Sequence, residues 1–145
     1  MQTSVVNSVD QLTSILDNTR TIAVVGCSDR PERTSFAIYR YLKTAGYEVI
    51  PVNPHHETCD GDKAYPDLLS VPESMQIDVV NVFRNPRYTA DMVEAAAQRA
   101  ESTGHRPVVW TQIGVSSPDA EATAREHDLP YVKNRCIMVE HSRLF

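Results

Sequence analysis

The amino-acid sequence predicts an α/β fold: a single Rossmann-like domain whose mostly parallel sheet carries helices on both faces. Three observations lead there. Apolar runs at residues 22–25, 47–54, 77–83 and 107–113 alternate with stretches of helical periodicity. The first run ends at Gly26, and after a polar loop a helical pattern starts at Ser35, the strand–turn–helix order of a phosphate-holding corner. The 145 residues contain no internal repeat, low-complexity segment or linker, which suits one domain, 1–145, around one core.

Each element has its own signature. Within a lead-in segment, 1–19, residues 8–18 read as an amphipathic helix capped by Ser8. Asp10 and Gln11 lie in its first turn, and Val9, Leu12, Ile15 and Leu16 share a face. After the strand at 22–25, Phe36, Ile38, Tyr39 and Leu42 give the next helix its apolar stripe, and Ala45 and Gly46 close it. Residues 47–54 then form the second strand and complete a βαβ unit. Residues 54–63 read as a polar loop. Residues 64–72, dense in proline, suit an extended piece, one helical turn and a bend.

The β-branched run at 77–83 is a buried strand. Pro86 suits the first turn of the following helix, with Asn85 as cap. Met92, Val93, Ala96, Ala97 and Ala100 face inward there, and Gly104 ends the helix near Thr103. A strand at 107–113 closes at Gly114. Ser117 and Pro118 open a helix to about His127, and residues 131–132 make a last short strand. The tail, 135–145, is expected to pack on the domain with Ile137, Val139 and Leu144 inward and with Arg135 or His141 fringing the pocket.

Composition excludes several classes. Hydrophobic residues at 41% and charged residues at 23% are those of a soluble globular chain. A net charge of -5 with no basic stripe argues against nucleic-acid binding. Cys27, Cys59 and Cys136 are odd in number, widely spaced and lack a CxxC pair, so they suggest neither a disulfide framework nor a zinc site; a reducing, cytoplasmic compartment is expected. Residues 1–4 carry no basic n-region, and no apolar run approaches the ~18 residues of a membrane span.

The loop after the first strand carries the functional signal. A dinucleotide fingerprint needs G-x-G-x-x-G, and only Gly26 is present. Ser28, Arg30, Arg33 and Ser35 stand where further glycines would expose backbone. Serine hydroxyls and forked guanidinium donors, next to the positive end of a helix, suit phosphate oxygens. Alternatively, Ser35 caps the helix and the arginines are solvated.

Two other strand ends return to the same rim. Where an NAD enzyme places an acidic residue on the ribose, the second strand ends in Val52, Asn53 and Pro54. Asn53 either contacts a base or ribose or is a turn residue before proline. Arg84, at the end of the 77–83 strand, is expected to face the pocket, because the helix dipole disfavours a purely structural cation there. Gln112 and Gly114 join the rim from the next strand end.

These pieces together resemble the small stand-alone CoA-binding proteins, relatives of the CoA-binding domain of the succinyl-CoA synthetase alpha subunit. The matching residues are Val24 to Ser28 with Arg30, Pro31 and Ser35; Tyr41, Leu42, Gly46 and Tyr47; and Val49 to Pro54. Asp78 to Arg84, Val109 to Gly114 and Asn134 to His141 complete the set. The resemblance covers nearly the whole chain. It implies coenzyme A or an acyl-CoA as ligand, with the pyrophosphate near the first loop and the nucleotide across the strand ends. By position it implies Gly26, Ser28, Arg33, Ser35, Asn53, Pro54, Phe83, Arg84 and Gln112 as binding residues. Cys27 departs from the small aliphatic residue common there: it either forms a mixed disulfide with the coenzyme thiol or is a small buried thiol in a tight turn.

No catalytic constellation stands out. His55, His56, Glu57, Cys59 and Asp60 lack the convergence of a metal site. If residues 136–141 are helical, Cys136 and Glu140 share a face from which His141 turns away. The reading is a binding module without catalysis of its own. An NAD(P)-dependent oxidoreductase, and a separated CoA-binding subunit of an acyl-CoA ligase, are the alternatives; an acyl-CoA enzyme is a candidate partner.

Overall fold

The computed structural model describes residues 5–6 and 8–145; the expectations for residues 1–4 lie outside the described residues. The chain runs β1 (Val5–Val6), α1 (Val9–Asn18), β2 (Thr21–Val25), α2 (Thr34–Thr44), β3 (Glu48–Val52), β4 (Thr58–Cys59) and β5 (Asp62–Lys63). It continues with β6 (Val79–Val82), α3 (Thr89–Thr103), β7 (Val108–Thr111), α4 (Pro118–Glu126), β8 (Tyr131–Val132) and α5 (Ile137–Leu144). Single 3₁₀ turns cover Leu68–Ser70 and Pro86–Tyr88.

Six strands pair in parallel in the order β1-β8-β7-β6-β2-β3. From β2 the chain steps out to β3, returns past β2 to β6, and proceeds the other way to β7 and β8. The loops leaving β2 and β6 therefore diverge, which opens a crevice at their carboxyl ends.

All five residues of β2 are buried, as a central parallel strand requires. Ile22 and Val24 pack with Leu12, Leu16, Leu42 and Ile137, so α1, α2 and α5 cover one face. Ala23 and Val25 pack with Val93, Ala96, Ala120 and Ala124, so α3 and α4 cover the other.

Local chemistry sets the boundaries. Ser8 and Gln11 form a capping box at α1, with Ser8 Oγ accepting the Gln11 amide at 3.1 Å. Leu12 and Leu16 are buried, whereas Val9 in the first turn is 62% exposed and leaves the expected apolar face. Asn85 Oδ1 accepts the Arg87 amide at 3.1 Å, and the proline-led segment makes a 3₁₀ turn before α3 begins at Thr89.

Two other expectations are corrected. The polar loop 54–63 contains a hairpin, because Asp60 (φ 51°) and Gly61 (φ 83°) supply the two positive-φ positions of a two-residue turn. In α5, Val139 points outward at 44% exposure. Helical spacing puts Ile137, Glu140, His141 and Leu144 on the inner side instead.

The amino end of the sheet is closed by ionisable side chains turned on the backbone. Asp78 Oδ2 accepts the amides of Arg20 (3.0 Å) and Thr21 (3.1 Å), and Oδ1 meets His105 Nε2 at 3.1 Å. Burial alone would raise the Asp78 pKa, yet these donors hold it below the usual carboxylate value. Arg99, 4% exposed, donates to the carbonyls of Val71 (2.6 Å), Pro72 (2.8 Å) and Met75 (2.7 Å).

Candidate functional site

The opposite end of the sheet is built differently. β2 runs into Gly26, whose φ of +91° suits a residue without a Cβ. A Cβ there would also come within 3.2 Å of the Phe83 carbonyl carbon and of Arg84 Cδ. The glycine thus lets the loop after β2 and the end of β6 lie against each other. Backbone bonds from Gly26 to Val52 (2.8 Å) and from Phe83 to Val25 (2.8 Å) fix the three strand ends together.

The loop from Cys27 to Arg33 is held from beneath. Asn53 Nδ2 donates to the Cys27 carbonyl at 2.9 Å, and Asn53 Oδ1 accepts the His55 amide at 2.8 Å. Ser35 Oγ accepts the Ser28 amide at 3.0 Å, and Ser28 Oγ accepts the Arg30 amide at 3.1 Å. Asp29 turns down to the β4–β5 hairpin, taking the Asp60 amide (2.9 Å) and the Thr58 hydroxyl (3.2 Å). Ser35 does not cap α2. The N-cap position belongs to Arg33, whose side chain makes no cap bond. The first amides of the helix therefore lack a side-chain acceptor, and they carry its positive partial charge.

Above this start of α2 lies an open cavity of about 640 Å³ lined by Gly26, Ser28, Arg30, Arg33, Thr34, Ser35, His55, His56 and Phe83. Among the described residues, no carboxylate lines it, and the guanidinium groups of Arg30 and Arg33 make no ion pair or hydrogen bond. The nearby acids are engaged below. Asp62 accepts from Lys43 at 2.7 Å and from the buried Tyr39 hydroxyl at 2.5 Å, and Asp60 meets Lys43 at 3.2 Å. The Lys43 and Tyr39 donors hold the Asp62 pKa below its ordinary value. Burial, then the bond to Asp62, pushes the Tyr39 phenol well up.

Six of the residues expected at the site meet in this cavity: Gly26, Ser28, Arg30, Arg33, Ser35 and Phe83. The others do not line it. Arg84 lies across Gly26, and its guanidinium carbon sits 5.0 Å from the Tyr88 ring centre. Asn53 acts as a staple and turn residue, followed by the exposed Pro54. Gln112 is buried. Its Oε1 accepts from Asn81 Nδ2 (3.1 Å) and from the Ile137 amide (2.9 Å), which satisfies an open donor at the start of α5. Gly114, φ +79°, closes an exposed turn in which the Val115 amide meets the Gln112 carbonyl at 3.1 Å.

Cys27 is a buried thiol adjacent to a second one. Cys59 is also fully buried, and both sulfurs reach the Ser28 carbonyl, at 3.9 Å from Cys27 and 3.3 Å from Cys59. The Cys59 thiol, then burial, pushes the Cys27 pKa far up, so the thiol stays protonated.

The residues that the sequence reading missed are Thr34, His55 and His56. The histidines drew notice only as metal candidates, yet the Asp60-Gly61 hairpin carries Cys59 inward and leaves both histidines on the cavity wall. Among the described residues, no group of three His, Cys, Asp or Glu side chains is placed to hold a metal. At the far end of the chain, Glu140 pairs with Arg135 and Arg143, each at 3.6 Å. His141 Nδ1 meets the Tyr41 hydroxyl at 2.8 Å, so this histidine packs on α2 and does not fringe the pocket.

Comparison with known proteins gives the family and the fold. The chain is 36% identical over 132 residues to the uncharacterized protein YneT of Bacillus subtilis, covering 91% of this chain and 93% of that one. It is 33% identical over 119 residues to the alpha subunit of the ADP-forming acetate–CoA ligase II of Pyrococcus furiosus; this covers 81% of the chain but only 25% of that subunit. A solved structure of a hypothetical protein from Pyrococcus horikoshii superposes with a TM-score of 0.88 at 36% identity, covering 99% of this chain and 98% of the other. Residues 20–142 match the CoA binding domain model, and the chain belongs to that family.

Proposed function

We propose that this protein binds coenzyme A or an acyl-CoA in the cavity above α2, and that it performs no chemistry alone. The observation that carries this reading is the cavity wall: Arg30, Arg33, His55 and His56 surround the uncapped start of α2 with no carboxylate among the lining residues. Such a wall favours a polyanion, and its position at the switch point is where nucleotides sit in open α/β sheets. Membership of the CoA binding domain family supports the coenzyme over NAD or NADP. The lining serine hydroxyls brace the loop, and among the described residues neither is hydrogen-bonded to a side-chain base. A cytoplasmic location belongs to the same proposal, supported by three free cysteines.

A second reading, a coenzyme-binding subunit that joins an acyl-CoA enzyme, is favoured by the match to one quarter of the ligase subunit. Calorimetric titration with coenzyme A, acetyl-CoA, NAD, NADP and ATP under reducing conditions tests the first proposal. Saturable binding of the CoA compounds alone is the expected result. Binding of NAD or NADP with no response to coenzyme A would overturn it.

A further inference from the structure

The end of β3 gives the site a finer specificity. In dinucleotide-binding sheets this strand end meets the adenosine ribose, where an acid holds free hydroxyls and a cation accommodates a ribose phosphate. Here no carboxylate stands between Val52 and Glu57. Both polar ends of the Asn53 side chain are occupied, by the Cys27 carbonyl and the His55 amide, and Pro54 is exposed. The next two residues, His55 and His56, line the cavity, and so does Arg30. Among the described residues, none of these three side chains is engaged in a hydrogen bond or ion pair. Asp29, Asp60 and Asp62 are engaged beneath the loop, and Glu32 and Glu57 do not line the cavity.

Arg33 and the start of α2 suit a bridging pyrophosphate. The side-chain donors of His55, His56 and Arg30 remain beside the end of β3, the strand end that meets the ribose in dinucleotide-binding sheets. We infer that His55 and His56, with Arg30, recognise a phosphomonoester on the ribose, so that the site discriminates 3′-phosphorylated coenzyme A from dephospho-CoA. Imidazole N–H groups and a guanidinium supply charge-assisted hydrogen bonds to such a dianion, whereas a bare ribose hydroxyl leaves them with water. This inference rests on the coenzyme reading above and names the part of the ligand that the histidines select.

The test is calorimetric titration of the wild-type protein and of H55A/H56A with coenzyme A and with dephospho-CoA, at fixed pH and ionic strength. Charge-assisted hydrogen bonds of this kind predict a wild-type preference for coenzyme A of about 10-fold or more. In H55A/H56A the preference should fall to within about two-fold, and H55A and H56A alone should each fall part-way, which serves if the double variant does not fold. A wild-type preference within about two-fold, or a preference retained in the histidine variants, overturns the inference while leaving the coenzyme site standing. Failure of both compounds to bind overturns the coenzyme reading and the inference with it.

Discussion

The two ends of the sheet use the same kinds of residue to opposite effect. At the amino end, charged side chains are spent on backbone groups: Asp78 takes two amides and Arg99 serves three carbonyls. At the carboxyl end, Arg30 and Arg33 point into a cavity, and α2 starts without a side-chain cap. The first arrangement satisfies the donors and acceptors of the strand ends from within. The second leaves donors and positive charge for something that is not part of the chain. One end is closed by its own side chains; the other is left open, and the proposed ligand would complete it.

The largest test of this contrast is at Arg99. Replacing it with methionine keeps an unbranched apolar stem but strands three carbonyls, and we expect a stability loss of about 3 kcal/mol or more. Urea unfolding measures it, and ligand affinity in the folded fraction should be unchanged. If R99M unfolds at the wild-type urea concentration, the closed end is not held as described.

Arg33→Ala is the mirror experiment. It should weaken coenzyme binding by about 1.5–3 kcal/mol, the range for hydrogen bonds to charged groups, with stability within about 0.5 kcal/mol of wild type. Arg84→Ala, stacked on Tyr88 and outside the lining, should weaken binding less. Equal losses would mean that Arg84 swings into the cavity when the ligand binds.

The smallest effect sharpens the closed end by pH. A carboxyl whose folded pKa lies below its unfolded value near 3.9 adds stability above that value and loses it as pH falls. Asp78 is such a group. Wild-type unfolding free energy should therefore decline as pH is lowered through the range below about 4. Asp78→Asn, which keeps an acceptor without the ionisation, should show a shallower decline. Parallel pH profiles for the two proteins would remove Asp78 from the account.

Much of the fold was legible in the chain because its signals are local. The burial of β2 from Ile22 to Val25 follows from an unbroken apolar run, and the strand–glycine–helix order places Gly26, Ser28, Arg33 and Ser35 at one corner. Even the hairpin within 54–63 was present as an Asp-Gly pair between short extended stretches, a signal that the polar composition concealed. The sorting of rim residues was not legible. Asn53, Gln112 and Arg84 all follow strands that end at the same edge, and sequence spacing does not say which way each side chain turns.

By itself the sequence determined the alternation of strands and helices, the switch-point corner, and the supply of cations with a single glycine in the loop. These depend on periodicity and on the backbone preferences of neighbouring residues. Only the tertiary structure decided how the polar groups were shared out. It brought Cys59 against Cys27 across the Ser28 carbonyl, gave Gln112 to the first amide of α5, and turned Asp29 down to the hairpin. It also left His55 and His56 on the cavity wall. The physical reason is that a buried donor or acceptor must find a partner somewhere in the packed chain, however distant in sequence. Arg30, Arg33, His55 and His56, whose side chains make no hydrogen bond or ion pair among the described residues, are the groups that the proposed ligand would engage.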